Sequence, residues 1–231
     1  MKFELLWVAI LAPLFLKAQK VKVVGSMSEM GKENFAPHIK LDTIANKKHL
    51  YGMGPYNRMQ GEITIVDGKP FYSSVNEVGD AINAASWKIE SPFFVSANVP
   101  KWKEIKVSVA LNSEVEIQKL ITDLAIKNGF DLNTPFSFRI KGHFDEIVTH
   151  VVMPRSNDIK GYVEGKKQAD YNNIDQDGEL IGFFSNKHQG VFTSKSSLVH
   201  VHFISDDYTF MGHLDKITQA KSSFSVFLPQ K

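Results

Sequence analysis

Apolar and polar positions alternate with a period of two along much of this chain, and strands dominate what that pattern predicts. Ile63 and Ile65 oppose Glu62 and Thr64, then Asp67-Gly68 interrupts, and a second alternating run continues to Tyr72. An Asp-Gly pair accepts the positive φ angles of a two-residue hairpin turn, so residues 61–72 read as a β-hairpin. Residues 93–99 and 104–111 read as further strands. Phe136, Phe138 and Ile140 alternate with Ser137, Arg139 and Lys141, which puts the apolar set on a core face. Residues 147–153 read as the strand that returns from it. One segment changes to a helical period. Ile117, Leu120, Ile121, Leu124 and Ala125 form a stripe over residues 114–128. Ser113 and Glu116 make a capping box, and Gly129 ends the helix. Its role is packing.

Residues 154–176 turn polar, with Gly, Asn and Asp frequent, and predict a long loop or a crossing between regions. Residues 178–184 open a second strand-rich region. The fold class expected is α+β and strand-dominated, with two packed β-sheet regions and few helices. The division expected is an N-terminal α/β region over 20–153, carrying the Glu62 and Arg139 strands, and a C-terminal β region over 154–231.

Composition changes this picture at the edges only. Lys2 precedes an apolar run over residues 5–16 that is shorter than the ~20 residues a spanning helix needs. Residues 1–19 therefore read as a secretory signal peptide, with an uncleaved anchor as the alternative. The expected location is secreted or periplasmic, with no membrane association after cleavage. The chain has no cysteine, so a metal site must draw on His, Asp or Glu. A net charge of +2, with Lys and Arg dispersed, shows no nucleic-acid footprint.

The chemistry lies in the C-terminal region. His200-Val201-His202 sits in an apolar stretch over 198–204, Ser205-Asp206-Asp207 follows, and a second stretch ends at Gly212-His213. This reads as strand, tight turn and return strand. Side chains at i and i+2 share a face. With Asp206 and Asp207 as the two turn residues, His200 pairs with His213. Three imidazoles on one face of a hairpin suit one metal ion with a coordination position left open, the arrangement of catalytic zinc. Asp206 and Asp207 serve the turn. His143, His150 and His188 remain without a role.

Six segments in order resemble the α-acetolactate decarboxylases, bacterial zinc enzymes that form acetoin and carbon dioxide. They begin with Tyr51-Gly52-Met53-Gly54-Pro55 together with Met59-Gln60-Gly61-Glu62, then Asp67-Gly68-Lys69-Pro70-Phe71-Tyr72, and Ser91-Pro92-Phe93-Phe94. Phe136-Ser137-Phe138-Arg139 running to Phe144, Gly178-Glu179-Leu180-Ile181-Gly182-Phe183, and His200-Val201-His202 with Gly212-His213 complete the set. The resemblance implies that His200, His202 and His213 bind Zn2+ and that Glu62 and Arg139 stand beside it. Glu62 is then the proton donor, and Arg139 the cation for a carboxylate or enolate oxygen. It also implies a small 2-hydroxy-3-oxo acid as substrate and a homodimer.

Two departures qualify the match. The family's C-terminal glutamate has no counterpart, since no Glu follows His213. The family's Arg-bearing segment after the middle strands is here Thr149-His150-Val151. The first departure predicts a site more open to water. Two alternatives therefore stay open: a cupin-like metal oxygenase or isomerase, and a metal-binding homologue with impaired catalysis.

Overall fold

The Asp67-Gly68 turn forms as its residues require, with φ of +46° and +78°, and pairs Val66 with Lys69 and Glu62 with Ser73. The computed structural model describes residues 20–230, so the expected signal peptide over 1–19 lies outside the described residues. In chain order the elements begin with β1 (Lys22–Val24), α1 (Met27–Met30), β2 (Ile39–Lys40), β3 (Leu50–Pro55), β4 (Glu62–Val66), β5 (Lys69–Val75) and β6 (Ala81–Ala85). They continue with β7 (Glu90–Ser91), β8 (Phe94–Asn98), β9 (Trp102–Leu111), α2 (Glu114–Lys127), β10 (Phe136–Val152), β11 (Gln168–Phe184), β12 (Val199–Ser205) and β13 (Met211–Pro229). Among the described residues no helix is long and apolar enough to cross a membrane.

Two sheets organise these strands. A six-stranded sheet runs β1-β8-β3-β4-β5-β6. A five-stranded sheet runs β10-β11-β12-β13-β9, and a further β10–β13 pairing closes four of its strands into a ring. This sheet takes β9 and β10 from before residue 153 and β11 to β13 from after it, so its pairing crosses the division expected there.

Burial explains the layering. Phe138, Ile140, Leu180, Val201, Phe203 and Leu214 pack with Ile117, Ile121 and Ala125 of α2 on one face of the five-stranded sheet. Its other face, with Ile181, Phe183, Ile204 and Met211, packs on Tyr51, Met53, Val95 and Ala97 of the six-stranded sheet. Ile63 and Ile65 lie with Leu41, Leu50 and Phe94 in a third cluster. The helix stripe and its cap are as expected, with Ser113 Oγ accepting from Glu116 N–H at 3.2 Å.

Three expectations are corrected. Residues 136–152 form one strand rather than two, because a register shift between Lys141 and Glu146 swaps the buried phase and lets the chain run on. The loop expected over 154–176 ends by Gln168, where β11 begins. Its first residues alternate between exposed and half-buried positions, and so read as loop in sequence. The histidine hairpin is also shifted: His202, not His200, pairs with His213. Asp207 Oδ1 accepts from Ser205 Oγ, Thr209 N–H and Thr209 Oγ1 at 2.7, 3.0 and 2.7 Å, and Tyr208 takes φ +62°. These bonds build a wider turn than Asp206-Asp207 alone. A two-residue shift preserves which face each side chain occupies, so the three histidines still converge.

Candidate metal centre

The site lies where β4 of one sheet crosses β10, β12 and β13 of the other. His200 and His202 project from β12, whose seven residues are all buried, and His213 projects from β13. His200 Nε2 and His213 Nδ1 stand 3.1 Å apart. One nitrogen from each of the three rings lies within 4.8 Å of the others. Donors on a single tetrahedral zinc ion stand roughly 3.4 Å apart for bonds of about 2.0–2.1 Å. His202 Nδ1 is 2.9 Å from Thr64 Oγ1, while its Nε2 is buried without a hydrogen-bond partner among the described residues. The Thr64 contact suits a ring that carries its proton on Nδ1 and keeps the Nε2 lone pair for a cation. Burial holds His200 down to about 4, and holds His202 and His213 well below the ordinary imidazole range. The three rings are therefore neutral at physiological pH, as metal ligation requires. These residues fit a divalent metal.

Glu62 is 4 % exposed despite an alternating pattern that suggests a solvent face. Both faces of β4 are covered, one by its own sheet's cluster and the other by the histidine sheet. Its Oε2 is 3.7 Å from His202 Nε2, and its Oε1 is 4.0 Å from His150 Nε2. Burial pushes its carboxyl up to about 8, against the opposing pull of His150 and a backbone N–H from Val152. A cation held by the histidines would pull the same group back down.

His150 is the residue that sequence reasoning left without a role. It pairs across strands with His213, and the two rings lie 4.7 Å apart. Its Nδ1–H donates to Asp215, with both carboxylate oxygens at 2.8 Å. The signal that could have found it is the segment Thr149-His150-Val151, where the family has an arginine. Glu62, His150, His200 and His213 line a cavity of about 200 Å3. Met27, Met30, Met59, Phe93, Glu114 and Val199 also face it. That volume suits a ligand smaller than drug-sized ones, whose pockets run to about 300–1,000 Å3.

Arg139 is placed elsewhere. Its Nε donates to Glu179 Oε1 at 2.9 Å, Nη2 donates to the same oxygen, and Nη1 reaches Tyr51 Oη at 3.3 Å. Trp102, Tyr51 and Phe227 surround the guanidinium at 5.1, 5.3 and 4.7 Å from their ring centres. It does not line the histidine cavity. The structure thus brings together four of the five residues singled out in the sequence, and adds His150.

Three imidazoles on adjacent strands, facing a buried carboxyl between two sheets, define a strand-dominated α+β protein with a group that could hold a metal ion. A family model described as alpha-acetolactate decarboxylase matches residues 24–228. This chain belongs to that family. It is 30 % identical over 166 residues to an alpha-acetolactate decarboxylase of Streptococcus thermophilus, covering 71 % of this chain and 65 % of the relative. The counterpart in Lactococcus lactis subsp. lactis is 27 % identical over 169 residues, with the same two coverages. The chain thus spans about 65 % of the length of the curated relatives it matches. In fold it is similar to the crystal structure of alpha-acetolactate decarboxylase from Bacillus subtilis strain 168. That likeness has a TM-score of 0.70 at 22 % identity, over 91 % of this chain and 85 % of the other. A Staphylococcus aureus protein described as similar to alpha-acetolactate decarboxylase gives 0.66 at 19 %, over 91 % and 84 %.

Proposed function

We propose that this protein decarboxylates α-acetolactate, a 2-hydroxy-3-oxo acid, to acetoin and carbon dioxide, with zinc held by His200, His202 and His213. The observation that carries this reading is the buried Glu62 carboxyl, 3.7 Å from the unpartnered His202 nitrogen at the wall of a small cavity. Bound zinc supplies Lewis acidity to the ketone oxygen, where negative charge builds as carbon dioxide leaves. The remaining work falls to the chain's own groups. The bond to the carboxyl carbon breaks, and its electron pair stays on the carbon that bears the hydroxyl, spreading to the neighbouring ketone oxygen. Carbon dioxide leaves neutral. Glu62 delivers the proton that this carbon then takes up, and regains one from water. His150 faces Glu62 with its other nitrogen tied to Asp215, and is placed to hand that proton back. The methionine and phenylalanine walls keep bulk water from the reacting carbon.

Export and a homodimer belong to the same reading. The apolar run over 5–16 supports export, and the exposed Val78 just before the edge strand β6 and Ile82 within it support self-association. N-terminal sequencing of the natural protein and its mass in solution test these two points.

The deciding experiment measures acetoin released from racemic α-acetolactate by the purified protein, first with a chelator and then with zinc restored. Release that the chelator stops and zinc restores is the expected result. A zinc-loaded protein that releases no acetoin would overturn the reading.

A further inference from the structure

A second cavity of about 560 Å3 adjoins the histidine site, and Met27, Met30 and Met59 line both. Arg155, Lys166 and Lys167 line it, with Glu33 as its only acid. Arg155 follows β10 by three residues, so it leaves the site directly after Val152, which walls the histidine cavity. Its loop is clamped to the turn that precedes Glu62. Arg58 Nη1 donates to Asp158 Oδ2 at 3.1 Å and Gln60 Nε2 donates to Lys160 O at 3.3 Å, while Met153 N–H donates to Lys167 O at 3.0 Å and ties the two ends of the loop together. Arg155 is half-buried, and it lines this adjoining cavity rather than the histidine cavity itself. It has no ion-pair partner at salt-bridge distance among the described residues. Arg139, by contrast, is committed to Glu179 inside its aromatic cage.

We propose that Arg155, not Arg139, is the cation that receives the substrate's carboxylate, and that the cavity it shares with Lys166 and Lys167 is the anion's way in to the histidines. This rests on the decarboxylase reading and deepens it. Its chemistry assigns Arg155 to binding rather than to the bond-breaking step. A guanidinium stabilises a carboxylate more than the neutral carbon dioxide it becomes, so its contribution falls on the ground state. Removing it should raise KM and spare kcat.

The test uses the zinc-loaded full chain as wild type, R155A and R155K, with K127A as a surface-charge control on α2. In R155A, KM for α-acetolactate should rise roughly 10–100-fold, the range of a lost charge-assisted hydrogen bond. The kcat should stay within about threefold, R155K should recover part of the loss, and inhibition by neutral acetoin should not change. An unchanged KM, or an equal loss of acetoin inhibition, would overturn the assignment. If the wild type does not turn over acetolactate, calorimetric binding of 2-hydroxyisobutyrate and its neutral amide still decides the matter. The preference for the anion should be present in wild type and fall in R155A. Wild type that binds neither, or a preference that survives in R155A, would reject Arg155 as the receptor while leaving the question of turnover separate.

Discussion

At the scale of single residues, the site works through nitrogen and oxygen atoms whose second contacts fix their roles. His202 has no exposed surface, its Nε2 has no hydrogen-bond partner among the described residues, and its ring groups with those of His200 and His213, so His202→Ala should remove metal binding. Elemental analysis checks this, and a variant that retained one zinc per chain would displace the site. Thr64→Val removes the partner of His202 Nδ1 at 2.9 Å without altering side-chain volume much. Loss of such an orienting contact should weaken zinc by about 10–100-fold, measured by competition with a chromophoric chelator. Glu62→Gln keeps the shape and removes the transferable proton, so kcat should fall by about 10²–10⁴ while zinc is retained. His200, His202, His213 and Glu62 were all legible in the sequence, because H-x-H on a strand and an ordered set of segments carry information locally. His150 was not. The departure at Thr149-His150-Val151 flags the segment but gives it no role, and only the β10–β13 pairing brings His150 against His213.

At the scale of elements, the hairpin β12–β13 and the strand β4 set how the site is built. The sequence located the hairpin but misjudged its register, because the turn is decided by side-chain bonds from Asp207 that widen it. The error was even-numbered, so the histidines kept their face. Backbone approach matters equally on the opposite wall. Gly54 on β3 stands so close to β8's entry that a Cβ there would meet Phe93 O at 2.2 Å. Phe93 lines the histidine cavity, and its ring is 6.0 Å from that of His200. Gly54→Ala should therefore push the wall outward, at a stability cost of about 1–3 kcal/mol and with weaker zinc binding. Paired thermal melts and zinc titrations check both effects, and a variant with native melting and affinity would show that the wall yields freely.

At the scale of the whole molecule, the two sheets close around groups that water would otherwise satisfy, and stability should follow their protons. In the metal-free protein, His200 titrates near 4 when folded and near 6.5 when unfolded, with His202 and His213 shifted the same way. The unfolded chain binds more protons between those values, so stability is full above about 6.5 and falls as the pH drops through the window. Glu62 acts oppositely. Its folded value near 8 exceeds its ordinary 4.5, so stability declines as pH rises between the two. Three histidines outweigh one glutamate below 6.5, which puts the maximum near that pH. Thermal melts with chelator should show this peak, and saturating zinc should raise it and remove the alkaline decline. A decline that persisted with zinc would separate Glu62 from the ion. Arg139→Ala leaves Glu179 buried without its partner and should cost about 3–5 kcal/mol in chemical denaturation, whereas Arg139→Met with Glu179→Leu should cost far less. The amino-acid sequence by itself determined the strand-rich class, the capped helix and the face shared by three histidines, since period, capping and turn chemistry act over a few residues. Which arginine serves which site, the burial of Glu62 and the entry of His150 were decided only by tertiary structure, because each depends on how the two sheets cross.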